Sequence, residues 1–271
     1  MGIKFNSHIY KLALTSMCLM FMQYISTNCE SPYKLDWTQD GIIIGSGIGL
    51  GTVSLILDNN VKPMTIDEFN NLNRNDINGF DRFATGKYSD NISKLSDYAL
   101  GTSIVSPLLF IFSDKIKNDW FTIGVMYGET MMFSGFLSYL AKGTVQRIRP
   151  YAYNTEIPTV WKLNSDAKKS FFSGHSSIAF SSAVFLSVVY SDYFPDSDYK
   201  PYVWGASLLL ASGIGIMRIE SGDHFPTDVI VGAIVGSASG YLIPYLHRSE
   251  NKDEGVSINF GINGVGVCYK F

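Results

Sequence analysis

The sequence predicts an all-α fold: a helical bundle of about six apolar helices, with bilayer insertion favoured, closed by a short C-terminal β-hairpin. Three observations carry this expectation. Six apolar segments, near 41–57, 99–113, 122–141, 176–190, 203–217 and 229–246, alternate with polar stretches. Charged residues make up 17% and hydrophobic ones 46%, whereas soluble domains carry about 25% charge. Beyond the last segment, residues 257–262 and 265–271 alternate apolar and polar around Asn263-Gly264, a two-residue hairpin signal.

Taken in order, the chain opens on a leader at residues 1–28. Lys4 and Lys11 precede the apolar run 12–25, and Ser26, Thr27 and Asn28 follow it, the layout of an export signal. An uncleaved anchor is the competing reading. The three cysteines, Cys18, Cys29 and Cys268, form no C-x-x-C pair, which argues against a zinc site or a disulfide framework. Residues 29–98 divide into a linker, the first apolar segment and a polar loop subdomain. Gly45/Gly49 and Gly47/Gly51 stand at the four-residue spacing that lets helices approach closely. Thr65 and Glu68 have capping-box spacing. Residues 99–246 form the helical core, interrupted by Pro107 and carrying Glu129 within an apolar run. An intramembrane carboxylate usually faces a bundle interior. The tail, 247–271, holds the hairpin. Several segments fall short of the ~20 residues that span a bilayer. The net charge of −3 gives a nucleic-acid partner no electrostatic support.

The chemistry-bearing residues collect where apolar segments end. Lys142 and Arg149 are seven apart, about two helical turns, so both can share one face before Pro150 stops the helix. Arg218 ends another segment, and its planar fork suits bidentate binding of phosphate oxygens. Each cation alone is explained by snorkelling at a helix end; three together point to an oxyanion. Ser173-Gly174-His175 precedes a helix starting near Ser176. There free N–H groups favour an anion, Gly174 permits close backbone approach, and the Ser173 hydroxyl adds a donor. His175 is placed to protonate a leaving alkoxide. His224 and Asp228 are four apart, so a helix would put them on one face. The carboxylate would then fix the tautomer and free the other ring nitrogen to attack.

These pieces resemble the three-part signature of the phosphatidic acid phosphatase type 2 family, which also includes vanadium haloperoxidases. Lys142, Arg149 and Pro150 match its first motif. Ser173, Gly174 and His175 match the second, with Phe172 in place of the usual Pro. Arg218, His224 and Asp228 match the third, with Met217 in place of Ser. The resemblance covers about residues 95–246. It implies a nucleophilic His224 that becomes a phosphohistidine, Asp228 orienting it, and His175 as general acid. It further implies phosphate bound by Lys142, Arg149, Arg218, Ser173 and the Gly174 N–H, with no metal and no other cofactor. The implied substrate is a lipid phosphate or diphosphate, and the expected location is a membrane of the cell envelope.

Rival readings are a soluble exported (periplasmic) acid phosphatase acting on small phosphate esters, a haloperoxidase holding vanadate in the same pocket, and a non-catalytic anion-binding membrane protein. If the leader is cleaved and all six segments span, the motifs face the cytoplasm. An extracytoplasmic site requires an uncleaved odd anchor elsewhere or one segment that does not span, and 41–57 is the candidate for the non-spanning one.

Overall fold

The computed structural model describes residues 31–249, 255–261 and 264–270. The expected leader, Cys18, Cys29 and the turn residue Asn263 lie outside the described residues. Seven α-helices run through the described chain: α1 (Trp37–Asn59), α2 (Ile66–Asn70), α3 (Asp90–Val105), α4 (Trp120–Val145), α5 (Gly174–Tyr193), α6 (Lys200–Glu220) and α7 (Pro226–His247). The expected count of about six is thus corrected by the short α2, which contributes one turn within the polar stretch. Thr65 caps it as its spacing predicts: Glu68 N–H donates to Thr65 Oγ1 at 3.1 Å, and Thr65 N–H donates to Glu68 Oε2 at 2.8 Å. The apolar segment 99–113 is not one helix. It is the second half of α3 followed by a 3₁₀ stretch, Ser106–Phe112, with Pro107 in its first turn. Strands β1 (Gly255–Gly261) and β2 (Gly264–Lys270) pair antiparallel, Gly255 opposite Lys270 and Gly261 opposite Gly264.

Among the described residues, three helices are long and apolar enough to cross a membrane: α1, α6 and α7. The segment 41–57 lies within a longer helix that begins at Trp37 and runs for 23 residues, enough to cross a membrane by length. Asp36 starts it, its carboxylate accepting the N–H groups of Thr38 and Gln39. Helix α1 is built inside out. Helix α1 buries Asp40, Ile43, Gly47, Gly51, Ser54 and Asp58 while exposing Ile42, Ile48, Val53 and Ile56. Small and polar residues face the neighbours and large apolar ones face outward, the distribution expected where the solvent is itself apolar.

Glycine stripes set the closest contacts. On α7, a Cβ at Gly232 would lie 2.5 Å from the Ser173 carbonyl oxygen, and one at Gly240 would lie 2.5 Å from that of Ser181. One at Gly236 would run into the Ser177 carbonyl. Helices α5 and α7 thus touch backbone to backbone. On α1, Gly47 and Gly51 receive Met132 and Phe136 of α4, whereas Gly45 and Gly49 face open space. Only one of the two predicted pairs is a packing surface.

Candidate functional site

The ends of four helices meet at one end of the bundle. Helix α4 stops earlier than Pro150 alone would require: it ends at Val145, and Gln146 caps it with φ of 48°. The chain then extends to Arg149 (φ −72°, ψ 151°), the conformation that a following proline favours. Lys142 and Arg149 therefore do not share a helical face as their spacing suggested; Lys142 sits on the last turn and Arg149 on the strand-like exit. Helix α5 starts at Gly174, slightly before the expected Ser176. Ser173 is its N-cap, accepting the Ser176 N–H at 3.3 Å. The two pieces adjoin, since a Cβ on Gly174 would lie 3.5 Å from Lys142 Nζ. Between α6 and α7 the chain turns through Gly222, whose φ of 79° favours glycine. Tyr151 N–H donates to the Gly222 carbonyl at 2.9 Å, and Ser173 N–H donates to the Asp228 carbonyl at 3.0 Å. These backbone bonds join all three motif regions.

His224 is buried, 1% exposed. Its Nδ1 is 2.7 Å from the Ser170 carbonyl oxygen. A carbonyl only accepts, so Nδ1 carries the proton and Nε2 keeps its lone pair. Burial, with the positive charges of Arg149, Arg218 and Lys142, pushes the imidazole well below its ordinary value. The ring is held neutral, the state in which it can act as a nucleophile.

Asp228 does not hold this ring directly. Helix α7 begins at Pro226, which places Asp228 in its first turn and His224 ahead of the helix. The Asp228 Oδ2 is 3.9 Å from Nδ1, beyond hydrogen-bond reach. That oxygen instead accepts from Ser170 Oγ at 2.5 Å and Phe225 N–H at 2.9 Å. Oδ1 takes Arg147 Nη1 at 2.5 Å. Asp228 thus fixes Ser170, and the Ser170 carbonyl fixes His224. Arg147 also donates to Asp81 Oδ2 at 2.8 Å and lies over the Phe225 ring at 4.1 Å.

The two arginines are buried, each 5% exposed, and share one carboxylate. Asp223 Oδ1 is 3.2 Å from Arg149 Nη1, and Oδ2 is 2.9 Å from Arg218 Nη2. Ser221 and Ser93 donate hydroxyl hydrogen bonds to the same Oδ2 at 2.6 and 2.9 Å. Burial alone would raise the Asp223 carboxyl, but Arg218 and Arg149 outweigh it and hold the group below the usual range. Asp166 holds the other side of Arg149 at 2.8 Å. Arg218 Nη1 donates to Ser93 and Ser96 of α3 at 3.1 and 3.0 Å, and its Nε has no hydrogen-bond partner among the described residues. A cleft of about 200 Å³ opens onto Asp223, lined in part by Tyr88, Ser93, Tyr151 and Trp161.

His175, just ahead of the apolar run 176–190, faces α3. Its Nε2 is 2.7 Å from Asp97 Oδ1, which also lies 3.6 Å from Arg218 Nη1. Burial and Arg218 push this imidazole down to about 4, against the pull of Asp97. The structure brings all eight predicted residues to this end. It adds Asp223, Asp97, Arg147, Asp81 and the Ser170 carbonyl, which spacing did not single out. Asp223, next to His224, carried a local signal; Asp81 and Asp97 sit in polar stretches that resemble ordinary solvated loop.

The PAP2 superfamily model matches residues 123–252. All three motif pieces fall inside that stretch, so the resemblance they carry holds there. Over 92 residues the chain is 32% identical to the probable diacylglycerol pyrophosphate phosphatase 1 of Schizosaccharomyces pombe, covering 32% of this chain and 33% of that protein. The match therefore spans about a third of that curated relative. Two solved structures are also similar. Aquifex aeolicus LpxE gives a TM-score of 0.40 at 24% identity, over 60% of this chain and 90% of its own. A transmembrane PAP2 type phosphatidylglycerolphosphate phosphatase from Bacillus subtilis gives 0.45 at 20%, over 74% and 94%.

Proposed function

From the PAP2 superfamily match over residues 123–252, we propose that this chain is a membrane phosphatase. It hydrolyses phosphomonoester or diphosphate bonds of a lipid phosphate through a phosphohistidine intermediate. The observation that carries the reading is His224: a buried, neutral imidazole with its Nδ1 proton committed to Ser170, beside two arginines that already share one anion.

In this scheme the substrate phosphate displaces the Asp223 carboxylate from Arg149 and Arg218, with Lys142, Ser173 and the Gly174 N–H completing the cradle. His224 Nε2 attacks phosphorus. The P–O bond to the leaving group breaks, and its oxygen takes a proton from His175. Negative charge brought by the substrate, added to that of Asp97, lets His175 hold that proton. Water then attacks phosphorus and gives a proton back to His175. The P–N electron pair returns to Nε2, and phosphate leaves. The fixed guanidiniums stabilise charge spread over the phosphoryl oxygens in both transition states. Three span-capable helices and their outward apolar faces favour a substrate presented from lipid over a small soluble ester.

The test is phosphate release from phosphatidate, a lipid diphosphate and a chromogenic monoester, with rapid acid-free quenching to trap label on the protein. The expected result is lipid hydrolysis and an acid-labile, base-stable phosphoryl adduct that disappears in His224→Ala. Labelled protein persisting in His224→Ala would overturn the intermediate. No hydrolysis of any of the three would overturn the function.

A further inference from the structure

A second group of titratable side chains lies at the other end of the bundle and takes no part in the scheme above. Asp40 in the first turn of α1, Glu129 within α4 and His247 at the end of α7 each offer one ligand-type atom, and those atoms all lie within 4.8 Å of one another. His247 Nε2 is 2.7 Å from Asp40 Oδ1 and 3.4 Å from Glu129 Oε2. From Asp228 to His247 the helix climbs 19 residues, roughly 28 Å at the α-helical rise. The two sites are separate.

The hydrogen bonding here is incomplete. His247 Nδ1 lies 2.8 Å from the Ile243 carbonyl, so Nδ1 donates there and Nε2 is the ring atom that faces both carboxylates. Glu129 is 2% exposed, and neither of its oxygens has a hydrogen-bond partner among the described residues. Burying a carboxylate without a partner is costly. Asp40 has the His247 ring at 2.7 Å, so Glu129 is the carboxylate of this group left without a hydrogen bond among the described residues. A divalent cation taking the place of any Nε2 proton would partner all three groups, and with two carboxylates and one imidazole the filled site carries no net charge. One nitrogen and two oxygens suit a first-row transition ion better than magnesium or calcium, which prefer all-oxygen shells.

We propose that Asp40, Glu129 and His247 bind a divalent transition-metal ion of the zinc or manganese kind, which clamps α1, α4 and α7 together at the end of the bundle remote from His224. Its role is structural, because it shares no residue with the hydrolytic site.

The experiment uses the full chain, purified without a histidine tag in detergent, stripped with chelator and reloaded with Zn²⁺ or Mn²⁺. Metal content is measured after desalting, and thermal unfolding is followed with and without the ion. The expected result is one retained equivalent and a higher Tm when loaded, with both effects lost in Glu129→Gln and Asp40→Asn. If those variants do not fold, X-ray absorption of the loaded wild type decides. A nitrogen/oxygen shell at about 2.0–2.2 Å that includes an imidazole supports the site, and a purely aqueous or sulfur-containing shell overturns it. A wild type that retains neither ion overturns it as well, leaving a proton shared between Glu129 and His247. Neither readout depends on phosphatase activity.

Discussion

Asp223 and Arg218 are five residues apart in the chain and 2.9 Å apart in the fold, and the same carboxylate reaches Arg149 at 3.2 Å on its other side. The anion seat between the arginines thus holds a group belonging to the chain itself. Any phosphate that enters must compete with it.

Asp223→Asn removes the competing charge while keeping the shape. Inorganic phosphate or vanadate should then inhibit more strongly, on the order of tenfold, since charge-assisted hydrogen bonds contribute about 1.5–3 kcal/mol each and part is lost in re-orienting the arginines. Inhibition constants measured side by side check this. Weaker inhibition in the variant would mean that Asp223 holds the arginines in place for phosphate.

The general-acid role of His175 predicts a dependence on the leaving group. His175→Ala should slow hydrolysis of alkyl and lipid esters by about 10²–10⁴-fold, yet slow a nitrophenyl ester far less, because that oxygen leaves without a proton. Equal losses on both substrates would assign His175 to binding.

The pH profile follows from the two imidazoles. His224 is held well below the ordinary histidine value, so its nucleophilic form persists as pH falls through 6.5. His175 titrates near 4 in the free protein, so its acid form is lost as pH rises above that value. The kcat/KM profile should therefore have an acid optimum. The kcat optimum should lie at higher pH, because bound phosphate adds negative charge beside His175. Asp97→Asn removes a group that raises the His175 value and should move the falling limb of kcat/KM to lower pH. Steady-state rates across pH 3–9 test each point, and coincident optima would count against the assignment.

The Arg147–Asp228 pair, 2.5 Å apart with Asp228 fully buried, predicts a stability effect. Removing one partner of a buried pair costs about 3–5 kcal/mol. Arg147→Met and Asp228→Asn should each lower Tm, and the double variant should lose less than their sum. Thermal unfolding in detergent gives the cycle, and strict additivity would show that the pair does not act as a unit. Asp228→Asn should also lower kcat, by loosening the Ser170 carbonyl that orients His224.

Several site residues were legible in the chain because their meaning is local. Ser173 caps α5, Pro226 opens α7, and Thr65 and Glu68 close a capping box, all within four residues. The motif residues were legible by order and spacing. Their partners were not. His175 meets Asp97 across 78 residues, and Asp228 meets Ser170 across 58. Local spacing does not determine which way two helices rotate against each other.

The sequence by itself determined roughly where the long apolar helices lie, though not that 99–113 breaks into a 3₁₀ stretch, and that cations and imidazoles gather at their ends. Tertiary packing decided which glycine pair meets a neighbour, that the His224 proton goes to a backbone carbonyl, and that Asp223 lies between two arginines. The physical reason is range. Backbone propensity and capping act over a turn or two, whereas a hydrogen bond between distant segments exists only once the backbone-to-backbone contact of α5 with α7 has fixed their register to a fraction of a turn.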